Sequence, residues 1–167
     1  YNSKIRNSSI QISDAKCEDS LNIINSKGQI KNIKIFDAYQ DAIDMDFSEI
    51  SIDNLEVKNA GNDCLDLSAG KYFISESKLQ NCKDKAFSVG EKTNLKAGNV
   101  FVKSSEIGIS VKDLSSINLS KGIIKNTKIC LEAFQKKQEF GGGNVKILNL
   151  ECKSDILNDK NSIIQIY

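Results

Sequence analysis

"QDAIDMDFS" at residues 40–48 returns, altered but legible, as "NDCLDLSAG" at residues 62–70. The two stretches lie 22 residues apart, and that interval runs through the chain. Stepping by 22 from Ile43 gives Leu21, Ile43, Leu65, Phe87, Ile109 and Leu131, an unbroken apolar column. A second column runs Ile23, Met45, Leu67, Val89, Val111 and Ala133. On the preceding stretch Ile35, Val57, Leu79, Phe101 and Ile123 form a third, and Ile30, Ile52 and Ile74 begin a fourth. The residue just before the first column is always small: Ser20, Ala42, Cys64, Ala86, Gly108, Cys130. A column limited to small residues predicts a backbone bend packed against its own neighbours, with no room for a larger side chain.

The register is lost across "FQKKQEFGGG" and then returns. "IDNLEVKN" at 52–59 reappears as "ILNLECKS" at 147–154, four periods and seven residues later. The spacing predicts a loop at residues 136–143, inserted into an otherwise regular turn. The closing "SIIQIY" completes the last turn in a register defined to within one residue.

Leucine-rich repeats share this period, but their Leu-x-x-Leu-x-Leu-x-x-Asn pattern is absent and no 3.6-residue stripe appears between the columns. Short I-x-I and L-x-V units joined by polar bends instead describe short strands stacked in parallel, one coil per repeat. The predicted fold is all-β: a single-stranded right-handed parallel β-helix over residues 1–167, with about seven rungs of 22 residues, each rising about 4.8 Å. The lack of proline agrees, since nearly every rung N–H must bond its neighbour.

Composition narrows the function. The chain is 40% hydrophobic and 27% charged, with 23 basic residues against 22 acidic ones, which describes a folded domain with no basic surface for nucleic acid. No apolar run reaches the roughly 20 residues of a spanning helix, so no membrane span is expected in this segment. The start, Tyr1-Asn2-Ser3-Lys4, is not a signal peptide, and the segment reads as a piece of a longer chain. Five cysteines, Cys17, Cys64, Cys82, Cys130 and Cys152, have no CxxC spacing and are expected as reduced, mostly buried thiols, compatible with the cytoplasm. The absence of histidine removes Ser-His-Asp, Cys-His and histidine-ligated metal chemistry.

The chain as a whole resembles the pectin-lyase-like β-helix superfamily. More narrowly, "QDAIDMDFS", "KDKAFSVGE", "IGISVKDLSS" and "AFQKKQEF" resemble β-helix domains of bacterial multidomain cell-envelope proteins, including ones joined to spore-coat-type kinase-like domains. The resemblance implies a non-catalytic carbohydrate-associated or scaffolding module, in the cell envelope or outside the cell. Its partners would be polysaccharide or neighbouring domains of the same protein.

In the β-helix frame Ile43 and Met45 point inward and Asp44 outward, in a column Asn22, Asp44, Asp66, Ser88, Ser110, Glu132. Asp19, Asp41, Asp63 and Lys85 form another column in the bend. Carboxylates repeated at a spacing of roughly 5 Å repel unless compensated. Three readings follow. The first is structural: the bend aspartates accept backbone N–H groups, and Asp44 and Asp66 form a solvated outer face. The second is a calcium site using Asp41, Asp44, Asp63 and Asp66 with carbonyls and water. The third is catalysis by a calcium-dependent polysaccharide lyase or glycoside hydrolase, with Asp41, Asp63, Asp66 and Lys85. For the third, the polygalacturonases of this fold carry paired acids followed by histidine and arginine motifs. Only Tyr39-Gln40-Asp41 and Asn62-Asp63 are similar here, with one acid each. An inverting pair also needs its carboxyls roughly 6.5 to 9.5 Å apart, more than one rung. A lyase would pair calcium with Lys85 as base. Finally, Tyr39, Phe134, Lys136, Lys137 and Phe140 are candidates for a sugar-stacking or protein-contact patch at the inserted loop, which Gly141-Gly142-Gly143 would allow to move.

Overall fold

The computed structural model describes residues 1–167, and every regular element in it is a strand. In chain order these are β1 (Lys4–Ser13), β2 (Asp19–Ile24), β3 (Lys27–Ala38), β4 (Asp41–Asp46), β5 (Glu49–Ala60), β6 (Leu65–Ser68) and β7 (Lys71–Gly90). There follow β8 (Asn94–Lys112), β9 (Ser116–Phe134), β10 (Asn144–Ile147), β11 (Leu150–Glu151), β12 (Asp155–Asn158) and β13 (Ile163–Ile166). All pairings are parallel, and each rung lies on the one before it. The result is a parallel β-solenoid of about seven turns with a spacing near 22 residues.

Each turn has three faces. The first holds β2, β4, β6 and the ends of β7, β8 and β9, then β12. The second holds residues 27–30, 49–52, 71–74, 94–97 and 116–119, then β10 and β13. The third holds residues 8–13, 32–38, 54–60, 76–82, 99–105 and 121–125, then β11. Inward side chains from all three merge into one cluster of 37 buried residues. Burying this apolar column is the main driving force for coiling, because no single turn could remove its own apolar face from water. Along the columns, 115 backbone hydrogen bonds satisfy the peptide groups.

The corners repeat as well. Asp37, Asn59, Asn81, Ser104 and Asn126 all take positive φ at the end of the third face, a conformation short polar side chains tolerate. Three of them form a ladder: Asn59 Nδ2 donates to Asp37 Oδ1 at 2.6 Å, and Asn81 Nδ2 to Asn59 Oδ1 at 2.8 Å. Between the first and second faces, buried hydroxyls accept the N–H of the preceding rung, as Ser26 N to Ser48 Oγ at 3.0 Å and Thr93 N to Ser115 Oγ at 3.1 Å. Gly70 interrupts this row because the Tyr72 hydroxyl fills the space, donating to Met45 O at 2.8 Å.

Two expectations are corrected. First, the third column does not pass through Phe101 and Ile123. Lys71 pairs with Asn94, 23 residues on, the extra residue lying in the turn at Glu91 and Lys92. A bulge after Cys82 restores the period. Between these points a one-residue slip exchanges the faces, so Val102 and Ile124 are buried while Phe101 and Ile123 turn outward. Ser116 pairs with Asn144, 28 residues on, so the seven-residue offset is shared between this turn and the loop at 135–143.

Second, four of the five cysteines are not thiols. Cys64 is bonded to Cys82 and Cys130 to Cys152, with Cα separations of 5.4 and 6.3 Å; Cys17 is free and exposed. Cys82 stacks on Ala60, and Cys64 follows Ala60 by one bend, so the two sulfurs meet across a rung boundary. Gly142 and Gly143 also have a packing role. A Cβ would drive Gly142 into the Asn161 carbonyl and Gly143 into that of Val111, so these glycines permit close backbone approach.

Candidate functional site

The acidic rows of the first face are built from backbone needs upward. A bend leaves an N–H that no strand partner can take, and a buried unpaired amide is costly. Asp41 Oδ1 accepts the Asp63 N–H at 2.8 Å, together with Asn62 Nδ2 at 2.8 Å. One rung higher, Asp63 Oδ1 accepts the Lys85 N–H at 2.9 Å. The buried Asp113 does the same for the inserted loop, taking the N–H groups of Lys136 and Lys137 at 2.8 Å each. Asp19 instead receives Asn22 Nδ2 at 2.9 Å.

Asp44 and Asp66 stack in register, followed by Ser88, Ser110 and Glu132. The row is sunk and not freely solvated: the aspartates are half-buried and Ser88 and Ser110 fully so. Lys112 lies over it, donating to Ser88 Oγ at 2.9 Å, while Ser110 Oγ donates to Glu132 Oε1 at 2.6 Å. Burial first, then the charges of Asp46, Asp19, Asp66 and Asp41, push the Asp44 carboxyl up to about 7. Asp63 rises to about 6, again through burial, with Lys85 opposing. Asp41 and Asp46 are also raised, burial leading in both. Asp66 Oδ1 is buried with no hydrogen-bond partner.

The sequence candidates are therefore neighbours with different engagements. Asp41 and Asp63 are turned to backbone amides, whereas Asp44 Oδ2 accepts Asn22 Nδ2 at 3.3 Å and Asp66 stacks on the next rung. No three acidic or cysteine side chains are grouped to hold a metal ion. Lys85 Nζ lies 3.7 Å from Asp63 Oδ1 and is ion-paired with Asp84. Burial lowers its proton affinity, but Asp84 and Asp63 outweigh burial, so the ammonium is held above its ordinary range. A lysine in that state is poorly suited to act as a base.

At the inserted loop, Phe134, Lys137 and Phe140 gather at one corner. Gln135 Nε2 ties the loop together through the carbonyls of Lys137, Gln138 and Phe140. Lys137 pairs with Glu91, and the Phe140 ring has Lys92 Nζ at 5.2 Å and Lys137 Nζ at 5.9 Å from its centroid. Lys136 points to solvent. Tyr39 is exposed, but it sits at a different corner, between β3 and β4.

One feature of the third face escapes the sequence reading. A groove of about 680 Å³ crosses its strands, bordered on one side by Asn32, Asn54 and Glu76 and on the other by Lys34, Glu56, Lys78 and Phe101. A smaller depression of about 250 Å³ continues it past Asn99 and Phe101 to Lys121 and Ile123. The repeated amides and alternating charges are legible at 22-residue steps, but the aromatic ring is not, because only the slip at Glu91-Lys92 turns Phe101 outward. No protein-family model, no curated protein and no solved structure matches this chain.

Proposed function

We propose that this chain is a non-catalytic, carbohydrate-associated scaffolding module of a larger cell-envelope or surface protein, a β-helix of the pectin-lyase-like kind. One observation carries the reading. Two of the acids that a lyase or hydrolase would need are committed to holding rungs together, Asp41 on the Asp63 amide and Asp63 on the Lys85 amide, and the Lys85 ammonium is paired with Asp84 and Asp63. The two disulfides support an oxidising compartment, since such bonds persist outside the reducing cytosol. The exposed Ile156, Leu157, Ile163 and Ile166 of the last turn support a neighbouring domain as a second partner.

A glycoside hydrolase is the second reading, favoured by the Asp44 carboxyl near 7, where a general acid would sit. Incubation with polygalacturonate, alginate, xylan and chitin, with and without calcium, separates the two. The scaffolding reading expects neither new reducing ends nor unsaturated-product absorbance. Turnover that disappears in Asp44→Asn or Lys85→Ala would overturn it.

A further inference from the structure

We propose that the groove of the third face binds an uncharged glycan chain laid along the solenoid axis, with Phe101 as the platform for one sugar ring. This rests on the carbohydrate-associated reading and assigns it a face and a ligand class.

The groove runs across the strands, so its walls repeat at the rung interval of about 4.8 Å. A ligand that matches it must be linear and must present similar groups at a similar interval, as an extended polysaccharide does. One wall is a row of carboxamides and a carboxylate. Asn54 Nδ2 donates to Asn32 Oδ1 at 3.3 Å and Asn99 Nδ2 to Glu76 Oε1 at 2.6 Å. Each amide keeps unused donor or acceptor capacity, which suits hydroxyls because these both give and take hydrogen bonds.

The opposite wall decides the charge of the ligand. Lys34 Nζ lies 3.8 Å and Lys78 Nζ 3.9 Å from the same Glu56 carboxylate, and Glu76 on the facing wall brings the charges that line the groove to two of each sign. A groove balanced in this way has no net charge to concentrate a polyanion. Polyuronates, the ligands that the pectin-lyase-like resemblance would suggest, are therefore disfavoured here. At the next rung the charged series gives way to Phe101, partly exposed beside the polar rows, with Ile123 beyond it. A flat apolar ring among hydrogen-bonding groups complements a pyranose, whose C–H face is apolar and whose rim carries hydroxyls.

The test is a titration of the full chain with cellohexaose, xylohexaose, mannohexaose, chitohexaose, hexagalacturonate and an extended Ser/Thr-rich peptide, at low and high salt, followed by calorimetry and by amide chemical shifts. At least one uncharged hexasaccharide should bind independently of salt and shift amides of residues 32–34, 54–56, 76–78 and 99–101. Phe101→Ala should weaken it by about tenfold, Phe101→Trp should retain it, and Phe73→Ala on the second face should leave it unchanged. Phe101→Trp keeps the test decisive if Phe101→Ala does not fold. Binding of only hexagalacturonate or only the peptide overturns the proposal. Glycan binding that follows Phe140 or Phe73 overturns it but leaves the carbohydrate-associated reading intact. No glycan binding at all removes both.

Discussion

Reduction of the two disulfides tests how the solenoid holds its rungs together. Cys64–Cys82 closes a loop of 18 residues and Cys130–Cys152 one of 22, so each staples about one turn. By loop-closure entropy each is worth about 3 kcal/mol, because the unfolded chain loses the freedom to separate those ends. Cys64, Cys82 and Cys130 lie in the core, so each bond also fills space that a pair of thiols would occupy less well. For a domain of this length, 3 kcal/mol corresponds to a melting shift of roughly 6 to 12 °C. The oxidised protein should show one reactive thiol, Cys17, and five after reduction under denaturing conditions. Cys64→Ala/Cys82→Ala should lower melting within that range. Cys130→Ala/Cys152→Ala should first speed hydrogen exchange across residues 144–166, since a solenoid transmits stability mainly between adjacent turns. Five reactive thiols in the protein as purified under non-reducing conditions, or identical melting with and without reductant, would refute the staple and with it the compartment assignment.

The acidic rows yield further expectations. Asp44 carries a carboxyl near 7 in the folded chain against an ordinary unfolded value near 3.8. The folded chain therefore binds more protons between those values, and stability falls as pH rises from about 4 to about 7. Asp44→Asn should flatten this part of a melting-against-pH profile and raise melting at pH 8, and an unchanged profile would count against a buried, crowded carboxyl. Asp63→Ala should cost about 2 kcal/mol in urea unfolding by orphaning the Lys85 amide, whereas Asp63→Asn keeps the acceptor and should cost far less. Equal losses in the two variants would assign the effect to the Lys85 ion pair. Gly70→Ala sets a Cβ against the Tyr72 hydroxyl and Ser48 carbonyl and should destabilise by about 1 to 3 kcal/mol, partly relieved in a Tyr72→Phe background.

Much of the fold is legible in the 22-residue columns, because a repeat fixes which residues share a face without any tertiary information. The first, second and fourth columns and the small residues at the bend all stand where the spacing puts them. The bend aspartates Asp41 and Asp63 are legible too, since Asp63 and Lys85 each present a bend N–H that the aspartate one period earlier accepts. Degree of burial is not, because it depends on what lies over each side chain: Lys112 reaches Ser88 of the outer row from a neighbouring rung.

By itself, then, the sequence determined the period, the coil and the inward residues of the first, second and fourth columns, because burying an apolar column depends only on spacing. The tertiary structure decided three matters that spacing cannot carry. Cys64 and Cys82 are 18 residues apart and belong to different columns, so only the shape of the corner makes them partners. A single extra residue at Glu91-Lys92 reverses the facing of Phe101, because side chains on a strand alternate and a slip of one exchanges inside for outside. The choice between backbone cap and free carboxyl for Asp41 and Asp44 was likewise decided by geometry, since it depends on which side chain the bend aims at an unpaired N–H.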